Sequence, residues 1–446
     1  MGMNQNKNKN SKLKIKSILD YCELKVPCTE NYRFQNREEI YLGEKYEISP
    51  EELKTIQLIK NTKVTLKEIP LKEKPIKVII DTDIGTDLDD ALALLFALHN
   101  DNINILGITT NYGPTNLRKE IASKICEIYF KNNKSKKAFP IIPGFPFPMG
   151  THREFFFAGN EGKLIFNDEE ILKLSGDWFS YDKKKKYNNL ASDFIIKTCL
   201  ENENITLISI GIPTNIGNAI KKNNNIISKI KEIVIMGGGS YLTKSKEYKI
   251  GKYSLNPNDW DKNLNEKSPF ELPKNEEEAN NFLYEGKPII LFPNHNFSGD
   301  TLATKLIFST SNLNIRIIPH NVTSQFWLEG KSIDYLIKKS ENFENDKLNN
   351  KLQSSSYVGL LLKAWFEVRG GNGGGQCPHD PLTIYEATAG GNQNHVAYVT
   401  GTLVVHEWAA YSTFVPHSDG KHLLGIEAKD VQGFLDKLEK GIIMQD

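Results

Sequence analysis

The chain has 446 residues, enough to bury a large core as one long α/β domain or as two or three smaller ones. Its 56 basic and 55 acidic side chains leave a net charge of +1, which excludes bulk attraction to nucleic acid or to an anionic membrane. Five scattered cysteines with no Cys-x-x-Cys pair, a polar N-terminus and no apolar run near the ~20 residues needed to span a bilayer argue against a disulfide scaffold, a secretory leader and a membrane anchor, so a cytoplasmic location is expected.

In chain order, Met1 to about Lys12 is a Lys/Asn tract with almost no apolar content, expected to be disordered. Leu13 to Glu73 carries scattered apolar residues among many charges. Within it, Ser49-Pro50-Glu51-Glu52 opens an amphipathic stretch to Ile59 with helix-start signals. Residues 1–73 read as an N-terminal extension and residues 74–446 as the main domain.

Lys77-Val78-Ile79-Ile80 is a β-branched apolar run that reads as a buried strand, and Ala91 to Leu98 reads as a helix packed on a sheet. Between them stand Asp81, Asp83, Asp87, Asp89 and Asp90, with no Lys or Arg. Carboxylates so crowded resist ionising together unless a helix N-terminus or a bound cation holds them. Capping by Asp87, with Asp90 three residues on, accounts for one or two of them. Asp81 and Asp83 alternate on a strand end just before Gly85, which is where open α/β sheets bind ligands. The stretch offers only oxygen donors, which suits a hard cation, Ca²⁺ or Mg²⁺, better than zinc.

Ile103 to Thr110, running into Asn111-Tyr112-Gly113, reads as a second buried strand. Asn116 to about Lys131 reads as a helix, and Phe139 to Gly144 as a short third strand. This alternation predicts an α/β fold: an open, mostly parallel, Rossmann-like sheet with helices on both faces. Phe155-Phe156-Phe157 fits core packing better than base stacking, and Lys183–Lys186 fits a solvated loop insert. Ile205 to Ile212 is a strand running into the turn Pro213-Thr214-Asn215, and Ile233 to Met236 is a strand closed by three glycines. Tyr241 to Lys274 is a long polar loop, and Pro288 to His295 a further strand. Lys331–Lys351 and Tyr357–Val368 read as helices. Near the end, Gly373-Gly374-Gly375-Gln376-Cys377-Pro378-His379-Asp380-Pro381 places an acid and an imidazole side by side. Taken alone, Asp380 also fits an Asx-turn before a proline.

The run Asp81-Thr82-Asp83-Ile84-Gly85-Thr86-Asp87-Leu88-Asp89-Asp90-Ala91 resembles the N-terminal signature of the inosine-uridine-preferring nucleoside hydrolases, D-x-D-x-G-x-D-D-A. It is a longer variant, with two more residues between the glycine and the final Asp pair. Thr109-Thr110, the Gly211 to Asn215 segment, Met236-Gly237-Gly238 and His379-Asp380-Pro381 are similar to later motifs of that family. The resemblance runs from about Lys77 to Lys440.

The resemblance implies hydrolysis of the N-glycosidic bond of a ribonucleoside to ribose and free base, with a calcium-bound water. It implies metal ligation by Asp83, Asp90, Asp380 and the backbone carbonyl of Ile210. Asp83 would be the general base and His379 the acid for the leaving base. Asp87, Asp89, Asn111, Asn160 and Glu271 fall on the substrate side. The implied cofactor is Ca²⁺, with Mg²⁺ second. The implied partner is a small-molecule nucleoside, with no nucleic acid or membrane, and a homo-oligomer is allowed. Pro114 departs from the family, which places Asn or Asp after that glycine. Glu271 departs too: it lies four residues before Asn275-Glu276-Glu277-Glu278-Ala279, the match to an Asp-Pro-Glu-Ala helix start, where the family holds the sugar with Asn. The strand at 288–295 is matched to the one preceding the family's Asp-x-Thr, here Asn296-Phe297-Ser298. Two other readings stay open. One is a catalytically impaired nucleoside- or ribose-binding relative. The other is a haloacid dehalogenase-type phosphatase, whose D-x-D motif wants Thr or Val where Gly85 stands.

Overall fold

The computed structural model of the chain describes residues 67–85, 88–134, 137–149, 162, 166–175, 189–239, 289–291, 294–328, 377–405 and 412–442. Its strands are β1 (Ile76–Thr82), β2 (Ile103–Thr110), β3 (Ile141–Pro143), β4 (Ile205–Ser209), β5 (Ile230–Met236), β6 (Ile289–Leu291), β7 (Ile315–Ile318), β8 (Val396–Val405), β9 (Ser412–Pro416) and β10 (His422–Ala428). Among the described residues they form one ten-stranded sheet in the order β3-β2-β1-β4-β5-β7-β10-β8-β9-β6. From β3 to β10 neighbouring strands are parallel; β8, β9 and β6 extend the sheet antiparallel.

The helices are α1 (Asp89–Leu98), α2 (Thr115–Asn132), α3 (Asp168–Leu174), α4 (Leu190–Glu201), α5 (Thr214–Lys222), α6 (His295–Gly299), α7 (Thr301–Ser309), α8 (His320–Thr323), α9 (His379–Thr388) and α10 (Val431–Ile442). Successive residues of a strand point to opposite faces, so β1 feeds two cores. Val78 and Ile80 pack with Leu92 and Leu95 of α1, Ile121 of α2, Leu382 of α9 and Phe434 of α10. Ile79 packs on the other face with Ile195 of α4, Ile216 of α5 and Ile307 of α7. Each such side chain contributes about 1.5–3 kcal/mol when fully buried. The sheet is therefore covered on both faces, which is why its central strands read as unbroken apolar runs. No helix among the described residues is long and apolar enough to cross a membrane.

Two expectations shift. The strand expected at 288–295 is described at Ile289–Leu291, and it sits at the far edge, antiparallel to β9. The strand beside β5 is β7, which the apolar pattern did not reveal because Arg316 interrupts it. Arg316 is buried, with Nη2 donating to Glu232 Oε2 on β5 at 2.9 Å and Nη1 donating to Glu386 O at 2.7 Å. Burial alone would raise Glu232, but Arg316 and Lys72 hold it below its ordinary value. Lys72 donates to the same carboxylate and is pushed down to about 8, by burial first and then by Arg316.

Residues 67–73, part of the N-terminal extension by composition, are docked on this domain. Lys67 N donates to Tyr398 O at 2.8 Å, Gly391 N donates to Ile69 O at 2.6 Å, and Ile69 enters the core. Residues 1–66, including the helix signals of 49–59, lie outside the described residues. So do the expected features at 155–157, 183–186, 241–274, 331–351 and 357–368.

Candidate active site

The carboxyl ends of β1, β2, β4, β5 and β7 bring the site together. Asp81 pairs in register with Thr109 on β2 and Ser209 on β4. Its Oδ1 accepts from Thr109 Oγ1 at 2.6 Å and from Asn215 Nδ2 at 2.8 Å. Burial pushes Asp81 up to about 7 against these bonds, and the charge of Asp83 adds to the rise. Asp81 is thus a brace between β2 and α5. Gly85, at φ 98°, turns the chain out of β1 in a conformation that a side chain would strain. Gly211 lets the β4 end approach, since a Cβ there would lie 2.6 Å from Asp83 N.

One oxygen each from Asp89, Asp90 and Asp380 lies within 4.8 Å of the others, and all three side chains are buried. Asp89 and Asp90 open α1, and Asp380 opens α9, which packs against α1. Thr82 Oγ1 donates to Asp90 Oδ1. Burial pushes Asp90 well above the usual carboxylate range, and the charges of Asp83 and Asp89 push it further. An all-oxygen cluster of buried like charges fits a hard divalent cation, because such a cation removes the repulsion that raises Asp90.

Asp83 stands beside this trio. Its Oδ2 is 3.2 Å from His295 Nε2, and the His295 ring meets Tyr112 edge-on at 5.4 Å. Arg118 is fully buried in α2. It donates to the backbone carbonyl of Asp83, to Ile84 O at 2.9 Å, and through Nε to Tyr112 O at 2.7 Å. Tyr112 is held at φ 61°, unusual for a bulky residue, and the Arg118 bond to its carbonyl secures it. His379 stacks on His320, and its Nδ1 meets Thr323 Oγ1.

The structure separates the other sequence-derived candidates. Asp89, expected at the sugar, sits within the carboxylate trio, and Asp83, expected as a metal ligand, adjoins it, its charge acting on Asp90. Ile210 O accepts from Asn296 Nδ2 at 3.1 Å. Asn111 is fully buried: its Oδ1 accepts from Ile212 N at 3.0 Å and braces the turn into α5. Its Nδ2 favours the ionised form of Asp81 from nearby, without reaching ordinary hydrogen-bond geometry. Asp87, Asn160 and Glu271 lie outside the described residues.

The sequence model of the inosine-uridine preferring nucleoside hydrolases matches residues 78–431. The chain belongs to that family. It is similar to uridine nucleosidase 1 of Arabidopsis thaliana, 31% identical over 37% of this chain and 46% of the relative. It is equally similar to the pyrimidine-specific ribonucleoside hydrolase RihB of Escherichia coli, 31% identical over 39% of this chain and 52% of that one. The chain thus spans about half the length of the curated relatives it matches. Among solved structures, a plant nucleoside hydrolase aligns over 83% of this chain and 100% of its own at TM-score 0.52 and 18% identity. An inosine-guanosine nucleoside hydrolase aligns over 82% and 98% at TM-score 0.54 and 16% identity. At those identities the likeness is one of fold.

The nucleoside hydrolase pattern can now be placed on the observed elements. Among the described residues α6 and α7 lie between β5 and β7, and the N-cap of α7, Asp300, accepts from Ala303 N at 3.0 Å. Four residues before that cap lies Asn296, buried, with Nδ2 donating to Ile210 O and Met236 O, each at 3.1 Å. Asn296 thus stands at the same four-residue spacing from a helix cap as Glu271 does from Asn275. Asn296-Phe297-Ser298, matched to the Asp-x-Thr after a strand, lies instead in helix α6. Beyond β7, Asn321-Val322-Thr323 fits that pattern, with Asn for Asp. Sequence reasoning missed Arg118, His295 and His320, and gave Asn296 only as part of the Asp-x-Thr match. The Asp300 cap was the one local signal available, and it marks Asn296.

Proposed function

We propose that this chain hydrolyses the N-glycosidic bond of a ribonucleoside, giving ribose and the free base. The observation that carries the reading is the meeting of Asp89, Asp90 and Asp380 beside Asp83 at the strand ends. Asp89, Asp90 and Asp380 would hold the divalent cation, Ca²⁺ before Mg²⁺, since buried carboxylates of flexible geometry suit the larger ion. When bound, the ion supplies Lewis acidity towards water and an anchor for ribose hydroxyls.

The remaining chemistry falls to side chains. Asp83 takes a proton from the attacking water, with its carboxylate plane fixed by His295 Nε2 at 3.2 Å. Positive charge gathers on the sugar ring as the bond to the base breaks, and the clustered carboxylates stabilise it. The bonding pair leaves with the base, whose nitrogen takes a proton from His379. Thr323 Oγ1 meets that ring at Nδ1, and Nε2 would make the transfer. Asn296 fixes the ends of β4 and β5 beside the sugar position through the two carbonyls it binds.

A reducing-sugar assay on inosine, uridine, cytidine and adenosine, with calcium and with chelator, tests this. Release of sugar from at least one of them, lost in chelator, is expected. A folded protein that binds ribonucleosides but releases no base from any of the four would replace hydrolysis with the binding reading.

A further inference from the structure

His320 and His379 come from the end of β7 and the start of α9. Their rings stack with centroids 4.6 Å apart and planes 25° from parallel. Each Nδ1 meets a hydroxyl: Thr323 Oγ1 at His379, and Ser324 Oγ at 3.3 Å from His320. Both hydroxyls also donate to the backbone carbonyl of His320, at 3.0 Å from Thr323 and 2.6 Å from Ser324. A hydroxyl has one proton to give. A hydroxyl whose proton goes to that carbonyl can only accept at the ring, which in that arrangement places a hydrogen on Nδ1 of each imidazole. Nε2 is then the nitrogen of His379 that exchanges a proton. His320 is itself fixed, because its N–H donates to Gly238 O beyond β5 at 2.7 Å. The single turn of α8 thus supplies both the ring that stacks on His379 and the hydroxyl that meets it.

We propose that His320 is a positioning residue for departure of the base, holding the His379 imidazole so that Nε2 faces the leaving nitrogen. The proposal rests on the nucleoside hydrolase reading above. In that step His379 is the imidazolium, with a hydrogen on each nitrogen: the C1′–N bond breaks and its electron pair goes to the base, the base nitrogen takes the Nε2 proton and leaves the ring neutral with its hydrogen on Nδ1, and the water oxygen bonds to C1′ as Asp83 takes its proton. His320 exchanges nothing. Its work is done by a flat ring against a flat ring, so an aromatic replacement keeps it and an aliphatic one does not. Orientation of an acid acts after binding, so the effect falls on kcat rather than KM.

The test compares the wild type with His320→Ala, His320→Leu and His320→Phe on uridine and inosine, and on p-nitrophenyl β-D-ribofuranoside. Nitrophenolate departs without a proton, so that substrate bypasses His379. Ala and Leu are expected to lower kcat on nucleosides by about tenfold or more, with KM within about twofold. Both are expected to keep nitrophenolate release near the wild-type rate, and Phe is expected to restore most of the nucleoside kcat. The leucine variant keeps the side-chain bulk, so the comparison survives if the alanine variant does not fold. An unchanged nucleoside kcat in the leucine variant overturns the proposal. Equal loss on both kinds of substrate overturns it too, since that is what a merely structural role gives. A wild type that releases neither base nor nitrophenolate removes the underlying reading, and this proposal with it.

Discussion

Asp380→Asn tests whether the three carboxylates are poised for a cation. One oxygen from each lies within 4.8 Å of the others in a buried setting. Two full charges at that outer separation repel by about 3.5 kcal/mol at an effective dielectric of about 20. Burial and then the charges of its neighbours push Asp90 well above its ordinary value, so the full repulsion is an upper figure. Asparagine also forfeits a negative charge in the first turn of α9, where the helix dipole favours one by about 0.5 kcal/mol. The expected net is a variant about 1–2 kcal/mol more stable than the wild type in chelator, roughly 1–3 °C in midpoint. Calcium at about 100 times its dissociation constant would add about 2.7 kcal/mol to the wild type and little to the variant. The order of stability therefore reverses between the two conditions. Thermal melts followed by circular dichroism, with chelator and then with calcium, read it directly. A variant less stable than the wild type by the same amount in both buffers would refute the reasoning, because Asp380 would then be an ordinary structural carboxylate.

Asp83→Ala is expected to lower base release by about a hundredfold or more; near-normal turnover would remove Asp83 as the base. Glu232→Gln leaves Lys72 and Arg316 buried without their shared counter-charge, at a cost of about 3 kcal/mol at neutral pH by denaturant unfolding. That cost should shrink as pH rises, because Lys72 can shed its proton and Arg316 cannot; a penalty independent of pH would count against it. In the wild type the folded Lys72 value of about 8 lies below the ordinary 10.5, so the unfolded state binds more protons in that window and stability rises with pH across it. His422 is buried, with Nδ1 accepting from Leu403 N at 2.8 Å, and burial holds it down to about 4 from 6.5. The unfolded chain takes up that proton first, so stability falls as pH drops through this window; His422→Gln should flatten urea midpoints measured there, and an unchanged slope would rule His422 out as the cause.

Much of the fold was legible because the central strands lie between two helix layers. Such strands must be apolar on both faces, and Val78-Ile79-Ile80 and Leu207-Ile208 are. The two ends of the site were legible for the opposite reason: Asp89-Asp90 and His379-Asp380 put charge where burial would otherwise forbid it. β7 stayed hidden because Arg316 breaks its apolar run, and the carboxylate that neutralises it lies 84 residues away on the neighbouring strand. Arg118 has no local signal of burial, yet three backbone carbonyls draw it fully inside. His295 and His320 acquire their meaning from Asp83 and His379, partners that no local pattern announces.

A chain leaving the ribosome displays Asp89 and Asp90 long before Asp380 is made. Until α9 settles against α1, the nascent protein holds two of the three carboxylates. On the proposed reading, activity that depends on a cation would begin only after α9 has been made, and a molecule clipped ahead of α9 should be silent rather than half-active.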